Sequence, residues 1–462
     1  MNDYSAFLAS KTIRASERGL AAVPDLAPHL FPFQRDCVDF LLRVGSGGLF
    51  LDTGLGKTAI ELEWCRHAAE ATNGCALILT PLAVAKQIER EGKRWGYDVR
   101  VIREQADAGL GINVCNYDRL GKLEPSAFGA VALDESSILK SFMGATSRAL
   151  REAFAGHRFR LSATATPAPN DHMELGQHAD FCGIMAPNEM LARWFVADQK
   201  EMGRYRLKHH GVEAFWNWMA SWSRMASMPS DLGDSDDRFV LPPLEVTRHR
   251  VRALAADAKI GGLFGDLVIS ATDMHKVKRK TAAGRAARAV ELIASDPQES
   301  WLVWCDTDYE ADALAAELHA LPYSYAEVRG SHPVERKESA IAGFCEGSIQ
   351  ILVSKPSIMG WGLNFQHCAR TIFVGRTFSY ESWYQAVRRL WRFGQTRAVE
   401  CHVLVAEGED SIGRVIDRKA GDHDGMKREM REAMVRAMGL ESKVKRAYDP
   451  QHDGRLPRWF AV

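Results

Sequence analysis

Three groups of residues in this chain have types and spacing suited to chemistry. The first is Gly48-Leu-Phe-Leu-Asp-Thr-Gly-Leu-Gly-Lys-Thr58. Thr53, Gly54 and Gly56 would form a tight turn whose successive N–H groups face one anion. Lys57 would set a point charge on β- and γ-phosphates, and the Thr58 hydroxyl would ligate Mg²⁺. A helix starting there adds its positive dipole end to the same place. The full phosphate-loop pattern has a glycine where this chain has Leu51, and a Gly-rich strand-to-helix turn alone would look much the same. The second group is Asp134-Glu135, which closes the apolar run Ala130-Val-Ala-Leu133. Asp134 would hold Mg²⁺ through water and Glu135 would orient or deprotonate an attacking water. The bland alternative is a solvated acidic pair. The third is Gln385-Ala-Val-Arg-Arg-Leu-Trp-Arg-Phe-Gly-Gln395. On a helix, Arg389 and Arg392 share a face, with Gln385 one turn before Arg389. Guanidinium forks match phosphate oxygens as lysine does not. An arginine supplied across a cleft is worth roughly 10³–10⁵ in rate. A basic helix that merely pairs with carboxylates is the alternative, but it leaves Gly394-Gln395 and the interleaved aromatics without a reason.

Such groups need a scaffold that presents loops at one edge. Short apolar runs supply one: Leu49–Leu51, Ala76–Leu79, Ile112–Cys115, Ala130–Leu133 and Arg158–Leu161 alternate with helix-like segments. Each ends in a polar cluster, among them Thr80-Pro81, Asn116-Tyr117, Asp134-Glu135 and Ser162-Ala-Thr-Ala-Thr-Pro167. That is the βαβα rhythm of a doubly wound parallel sheet, which binds ligands outside the carboxyl ends of its strands. A second unit follows, with strands expected at Trp301–Cys305, Ile349–Val353, Thr371–Val374 and Cys401–Val405. It has no phosphate loop of its own. Upstream, Pro32 followed by Val38, Leu41 and Leu42 predicts an amphipathic helix. On it Gln34 has an amide able to read an adenine edge, or is simply a polar residue at a helix start.

Between the units, Phe215, Trp218, Met219 and Trp222 mark one apolar helix face, read as core rather than a docking surface. Ser230–Asp237 and Leu241-Pro-Pro243 mark a boundary. Lys276–Lys280 with Arg285 and Arg288 suits a phosphate backbone or a solvated face equally. The Lys- and Arg-rich tail after about Ser411 fits a brace between units, a DNA contact or a solvated helix.

The 462 residues suggest roughly two to four domains. Lys plus Arg and Asp plus Glu both number 59, so net charge neither favours nor excludes a nucleic-acid partner. No apolar run approaches the ~18–20 residues of a membrane span, and no signal peptide is expected at the N-terminus. Nine cysteines without a Cys-x-x-Cys pair read as reduced thiols. His172, His178, His209 and His210 lack metal-ligand spacing.

In order and spacing these motifs resemble those of the superfamily 2 helicases, within them the Swi/Snf-type double-stranded DNA translocases, in a compact form like those of bacteria and phages. The matching runs are Phe33-Gln34, Asp52–Thr58, Asp134-Glu135 with Lys140, and Thr164–Pro167 with Asn170. In the second unit they are Arg329-Gly-Ser331 with Arg336, Ile341 and Phe344; Gly360-Trp-Gly-Leu-Asn364; and Gln385–Gln395. They cover about residues 30–410.

The resemblance implies two tandem RecA-like α/β lobes, with lobe 1 at 30–167 after a lead-in at 1–29, a helical insertion and linker at 168–240, lobe 2 at 241–410 and a basic helical tail at 411–462. It implies ATP and Mg²⁺ bound by Gln34, Lys57, Thr58, Asp134 and Gln385, water activation by Glu135, and γ-phosphate contacts from Arg389 and Arg392. Thr164 and Thr166 would couple nucleotide state to lobe closure. Thr80, Pro81, Asn116, Tyr117, Gly360, Gly362 and Asn364 would line a track for DNA, expected to be double-stranded. Rival readings are a strand-separating DNA or RNA helicase, and a nucleotide-gated adaptor that positions a nuclease or other DNA-processing partner. The expected location is a bacterial or phage-infected cytoplasm. One departure stands out. Many relatives have a histidine just after the acidic pair, whereas this chain has Ser136-Ser137, which puts coupling through that histidine in doubt.

Overall fold

The computed structural model describes residues 13–82, 84–140, 144–168, 171–197, 205–251, 271–359, 363–377, 379–406 and 410–439. The apolar runs form two wholly parallel sheets. The first has seven strands in the order β3-β4-β2-β5-β6-β1-β9. Their ranges are β1 Ser46–Leu51, β2 Cys75–Thr80, β3 Val99–Val101, β4 Gly111–Asn116, β5 Ala130–Asp134, β6 Phe159–Ala163 and β9 Ser223–Ala226. A separate antiparallel hairpin joins β7 (Phe195–Ala197) to β8 (Tyr205–Leu207). The second sheet runs β10-β15-β14-β11-β13-β12. Here β10 is Leu244–Val251, β11 Trp301–Trp304, β12 Tyr325–Val328, β13 Ile351–Ser354, β14 Arg370–Phe373 and β15 Val399–Ala406. Helices between the strands cover the sheets, so β1, β5, β6, β11 and β13 are buried along their whole length. These are two RecA-like α/β lobes in tandem.

Register decides what meets at the edge of the first sheet. Leu51 lies opposite Ala226, Leu49 opposite Ala163, and Asp134 opposite Ala163. The loops leaving β1, β5, β6 and β9 therefore issue side by side. The helix Lys57–Glu70 begins directly after the glycine loop, and the helix Pro32–Val44 starts with the expected proline.

The segment expected as an insertion belongs to the first lobe. Its β9 pairs in parallel with β1. Its helix Val212–Ala220 buries Phe215, Trp216, Trp218 and Met219. Trp218 stacks on Trp194 with ring centroids 4.8 Å apart. The aromatic face is core.

The helix Asp410–Ala437 packs against both lobes. Its Ile416 packs with Tyr380 and Tyr384 of the second lobe. Further along, Met426, Met430, Ala433 and Met434 enter the core of the first. Glu429 accepts the Trp216 indole N–H at 2.9 Å, and Arg431 pairs with Asp231. Among the described residues no helix is long and apolar enough to cross a membrane, and no cluster of His, Cys, Asp and Glu could hold a metal.

Candidate active site

At the end of β1 the chain turns through Gly54 (φ +97°) and Gly56 (φ +78°), conformations an L side chain rarely adopts. At Gly56 a Cβ would also meet the Gln34 amide nitrogen at 2.3 Å. Gln34 is buried and ties the loop to its own helix: its Nε2 donates to the Leu55 carbonyl at 3.0 Å, and its Oε1 accepts the Phe31 N–H at 3.0 Å. Lys57 reaches back to the Leu51 carbonyl at 3.1 Å. Burial pulls the Lys57 ammonium down, while Glu135, Asp134, Asp52 and Glu61 act in the opposite direction. Thr58 follows it in the first turn of the helix. The Thr53 N–H donates to the Asp52 carboxylate at 2.7 Å.

The acidic pair stands beside this loop. Burial, with Glu135 adding to it, raises the Asp134 carboxyl to about 7. Thr80 Oγ1 donates to Asp134 Oδ2 at 2.9 Å, and Tyr117 Oη donates to the Asp134 carbonyl at 2.7 Å. Thr80 and Tyr117 were expected on a nucleic-acid track, yet both are buried and wired to the acidic pair. Thr80 ends β2, and Tyr117 opens the turn that follows β4. Asn116 and Pro81 are partly exposed beside them. Glu135 has φ +53°, the one described non-glycine residue in the left-handed region, and its Oε2 is buried without a partner among the described residues.

A polar chain starts at Ser136, just after the acidic pair. The Ser162 hydroxyl lies 2.9 Å from that of Ser136 and 2.7 Å from His178 Nδ1, and His178 Nε2 lies 2.9 Å from the Pro167 carbonyl. A carbonyl only accepts, so the ring proton sits on Nε2 and Nδ1 accepts from Ser162. Ser162 in turn accepts from Ser136. Burial lowers the imidazole to about 4, which keeps it neutral. Thr164 Oγ1 accepts the Thr166 N–H at 3.1 Å, and Thr166 Oγ1 reaches Glu381 of the second lobe at 3.4 Å.

The second lobe brings its arginines to the same cleft, though not on a helix. The helix Tyr380–Val387 stops before them, and Arg389 and Arg392 lie in the turns that follow. They converge because both donate to the Leu363 carbonyl, at 3.1 and 3.2 Å. Gln385 holds Arg389 through its side-chain oxygen at 2.8 Å. Burial lowers Arg389 to about 10, opposed first by the charge of Glu135 across the cleft. Gln385 Nε2 and Arg392 Nε are buried without partners among the described residues. These orphaned donors, with Glu135 Oε2, suit a polyanionic ligand and its metal in the cleft. Asn364 Oδ1 accepts the Gln366 N–H at 3.3 Å. Gly360, Gly362 and Asn170 lie outside the described residues.

Sequence reasoning missed Asp52, Glu381, Tyr384, Arg388, Lys427 and His178. Arg388 donates to Asp52 at 2.7 Å, and Lys140 pairs with Glu381, both across the cleft. The third arginine of the Arg388-Arg389-x-x-Arg392 run was the available signal for Arg388; Lys427 had none.

Residues 284–394 match the family model for the helicase conserved C-terminal domain. The chain is 25% identical over 426 residues to the SWI/SNF-related matrix-associated actin-dependent regulator of chromatin subfamily A-like protein 1 of Xenopus tropicalis, covering 85% of this chain and 44% of that protein. It is 22% identical over 443 residues to the DNA annealing helicase and endonuclease ZRANB3 of Mus musculus, covering 86% and 41%. It thus spans less than half the length of these relatives. The Sulfolobus solfataricus SWI2/SNF2 ATPase core in complex with dsDNA superposes with a TM-score of 0.40 at 18% identity, covering 90% of this chain and 99% of that one. The helicase C-terminal domain thus lies in the second lobe, and similarity to these Swi/Snf-related and annealing helicases runs through both lobes.

Proposed function

We propose that this chain is a DNA-dependent ATPase that converts hydrolysis between its lobes into movement along duplex DNA. One observation carries the reading: the glycine loop and acidic pair of one lobe face the paired arginines of the other, where the charge of Glu135 acts on Arg389. Lys57 and the loop N–H groups would bind the triphosphate, Glu135 would orient and deprotonate water, and Arg389 and Arg392 would neutralise charge developing on the γ-phosphate. Mg²⁺, held by Thr58 and Asp134, would supply Lewis-acid neutralisation of the phosphates. ATP would thus join the lobes and hydrolysis would release them, and repeated closure would ratchet the lobes along DNA. Thr166 with Glu381, and Lys140 with Glu381, are the contacts through which closure would be felt.

The names of the relatives support DNA as the track, and that of ZRANB3 supports a nuclease or other DNA-processing activity working with the motor. The setting consistent with this reading is a bacterial or phage-infected cytoplasm. Steady-state hydrolysis with blunt duplex, single strands or RNA tests the proposal. Blunt duplex should stimulate turnover, and Glu135→Gln should lower it by about 10²–10⁴-fold. Stimulation by single strands or RNA alone would make it a strand-separating helicase. Absence of any stimulation would sink the motor and favour a nucleotide-gated adaptor.

A further inference from the structure

Asp52, the residue before the phosphate loop, is a carboxylate contacted by both lobes and the tail helix. Arg388 donates to its Oδ2 at 2.7 Å and Lys427 at 2.9 Å, the Tyr384 hydroxyl donates to Oδ1, and the Thr53 N–H shares that oxygen. Lys427 Nζ and Arg388 Nε also lie 3.0 and 3.2 Å from the Tyr384 oxygen. Three stretches of chain meet here: the end of β1, the helix carrying Tyr384, and the tail helix carrying Lys427. The Asp52 and Arg388 side chains are only 8% and 7% exposed.

Charge decides what this node is for. One carboxylate is met by two cations, so the buried group carries a net positive charge beside a loop built for phosphates. Stability alone does not call for that excess, because a buried ion pair is commonly no better than an apolar substitute of the same volume. Without the cations, Asp52 would set a bare negative charge next to the triphosphate. We propose that Lys427 and Arg388 are positioning residues for the nucleotide: they neutralise and orient Asp52, so that docking of the tail helix sets the affinity of the phosphate loop. The inference rests on the ATPase reading above and adds the tail to its binding site.

The test is equilibrium binding of fluorescent ATP and ADP analogues to the full chain, with steady-state hydrolysis alongside. Loss of the one positive charge in excess at the node, at the effective dielectric of a protein interior, corresponds to about tenfold in affinity. Lys427→Met should therefore weaken both nucleotides about tenfold and raise KM with little change in kcat, the signature of lost uniform binding. Lys427→Arg should restore wild-type affinity. Arg431→Met, which removes the tail's pair with Asp231 instead, should stay within about twofold. Lys427→Met within twofold of wild type would overturn the proposal. So would an equal loss in Arg431→Met, which would assign the effect to tail docking without the charge. A wild-type chain that binds no nucleotide would instead refute the ATPase reading itself.

Discussion

Glu135 holds a left-handed backbone conformation that costs a non-glycine residue about 1–3 kcal/mol unless its surroundings impose it. The next residue, Ser136, begins the chain through Ser162 and His178 to the Pro167 carbonyl. His178 thus ties the segment after the acidic pair to the Ser162–Pro167 segment. If the chain acts as a unit, Ser136→Ala and His178→Ala should each lower kcat about tenfold, and the double variant should lose little more. Multiplying losses would show that the two residues act independently. The imidazole also has a pH signature. Its folded-state value of about 4 lies below the ordinary 6.5, so the unfolded chain binds the extra proton between them. Stability contributed by the neutral ring is full above 6.5 and is lost as pH falls toward 4. Chemical denaturation across that window should show a shallower decline for His178→Gln than for wild type.

The interior strands of both sheets were legible as apolar runs ending in polar clusters, whereas all four edge strands were not. β3, β9, β10 and β12 stand at the sheet edges. β10 reads Leu-Glu-Val-Thr-Arg-His-Arg-Val, mostly exposed and carrying Glu245, Arg248 and Arg250, as an edge that must resist pairing with another chain. β9 is only Ser-Arg-Met-Ala, and what places it is the aromatic packing behind it. Trp218 packs between Trp194 and Trp222, and the Trp222 carbonyl accepts the Gly48 N–H of β1 at 3.0 Å. Trp218→Ala should therefore cost about 3–5 kcal/mol of unfolding free energy, measured by denaturant titration. A loss below 1 kcal/mol would mean that this helix merely rests on the lobe. The glycine turn before the helix Lys57–Glu70 and the acidic pair at the end of β5 were readable because each is local in sequence. The Asp52 node was not, since Lys427 lies 375 residues away and nothing in the tail's composition distinguishes it from other basic positions.

At the scale of the whole molecule, polar contacts join the lobes among the described residues, Lys86 with Glu338 on the surface and Lys140 with Glu381 beside the acidic pair. Lys140 follows the acidic pair on the first lobe, while Glu381 sits in the first turn of the second-lobe helix that leads to Gln385, Arg388 and Arg389. Glu381 is almost buried and also accepts from Thr166, so one carboxylate touches the segments after β5 and β6 together. A motor driven by lobe closure needs such a contact to report closure to both. Lys140→Glu sets two carboxylates against each other and should cut the ratio of duplex-stimulated to basal hydrolysis by about tenfold, and Glu381→Lys should do the same by opposing two ammonium groups. The exchanged pair, Lys140→Glu with Glu381→Lys, should recover most of the ratio, because the attraction is restored with its polarity reversed. Recovery incomplete by the share that Thr166 contributes would remain consistent, since a lysine cannot accept from that hydroxyl. Losses that simply multiply in the double variant would show that the pair does not transmit closure, leaving the Asp52 node and the nucleotide itself as the route between lobes.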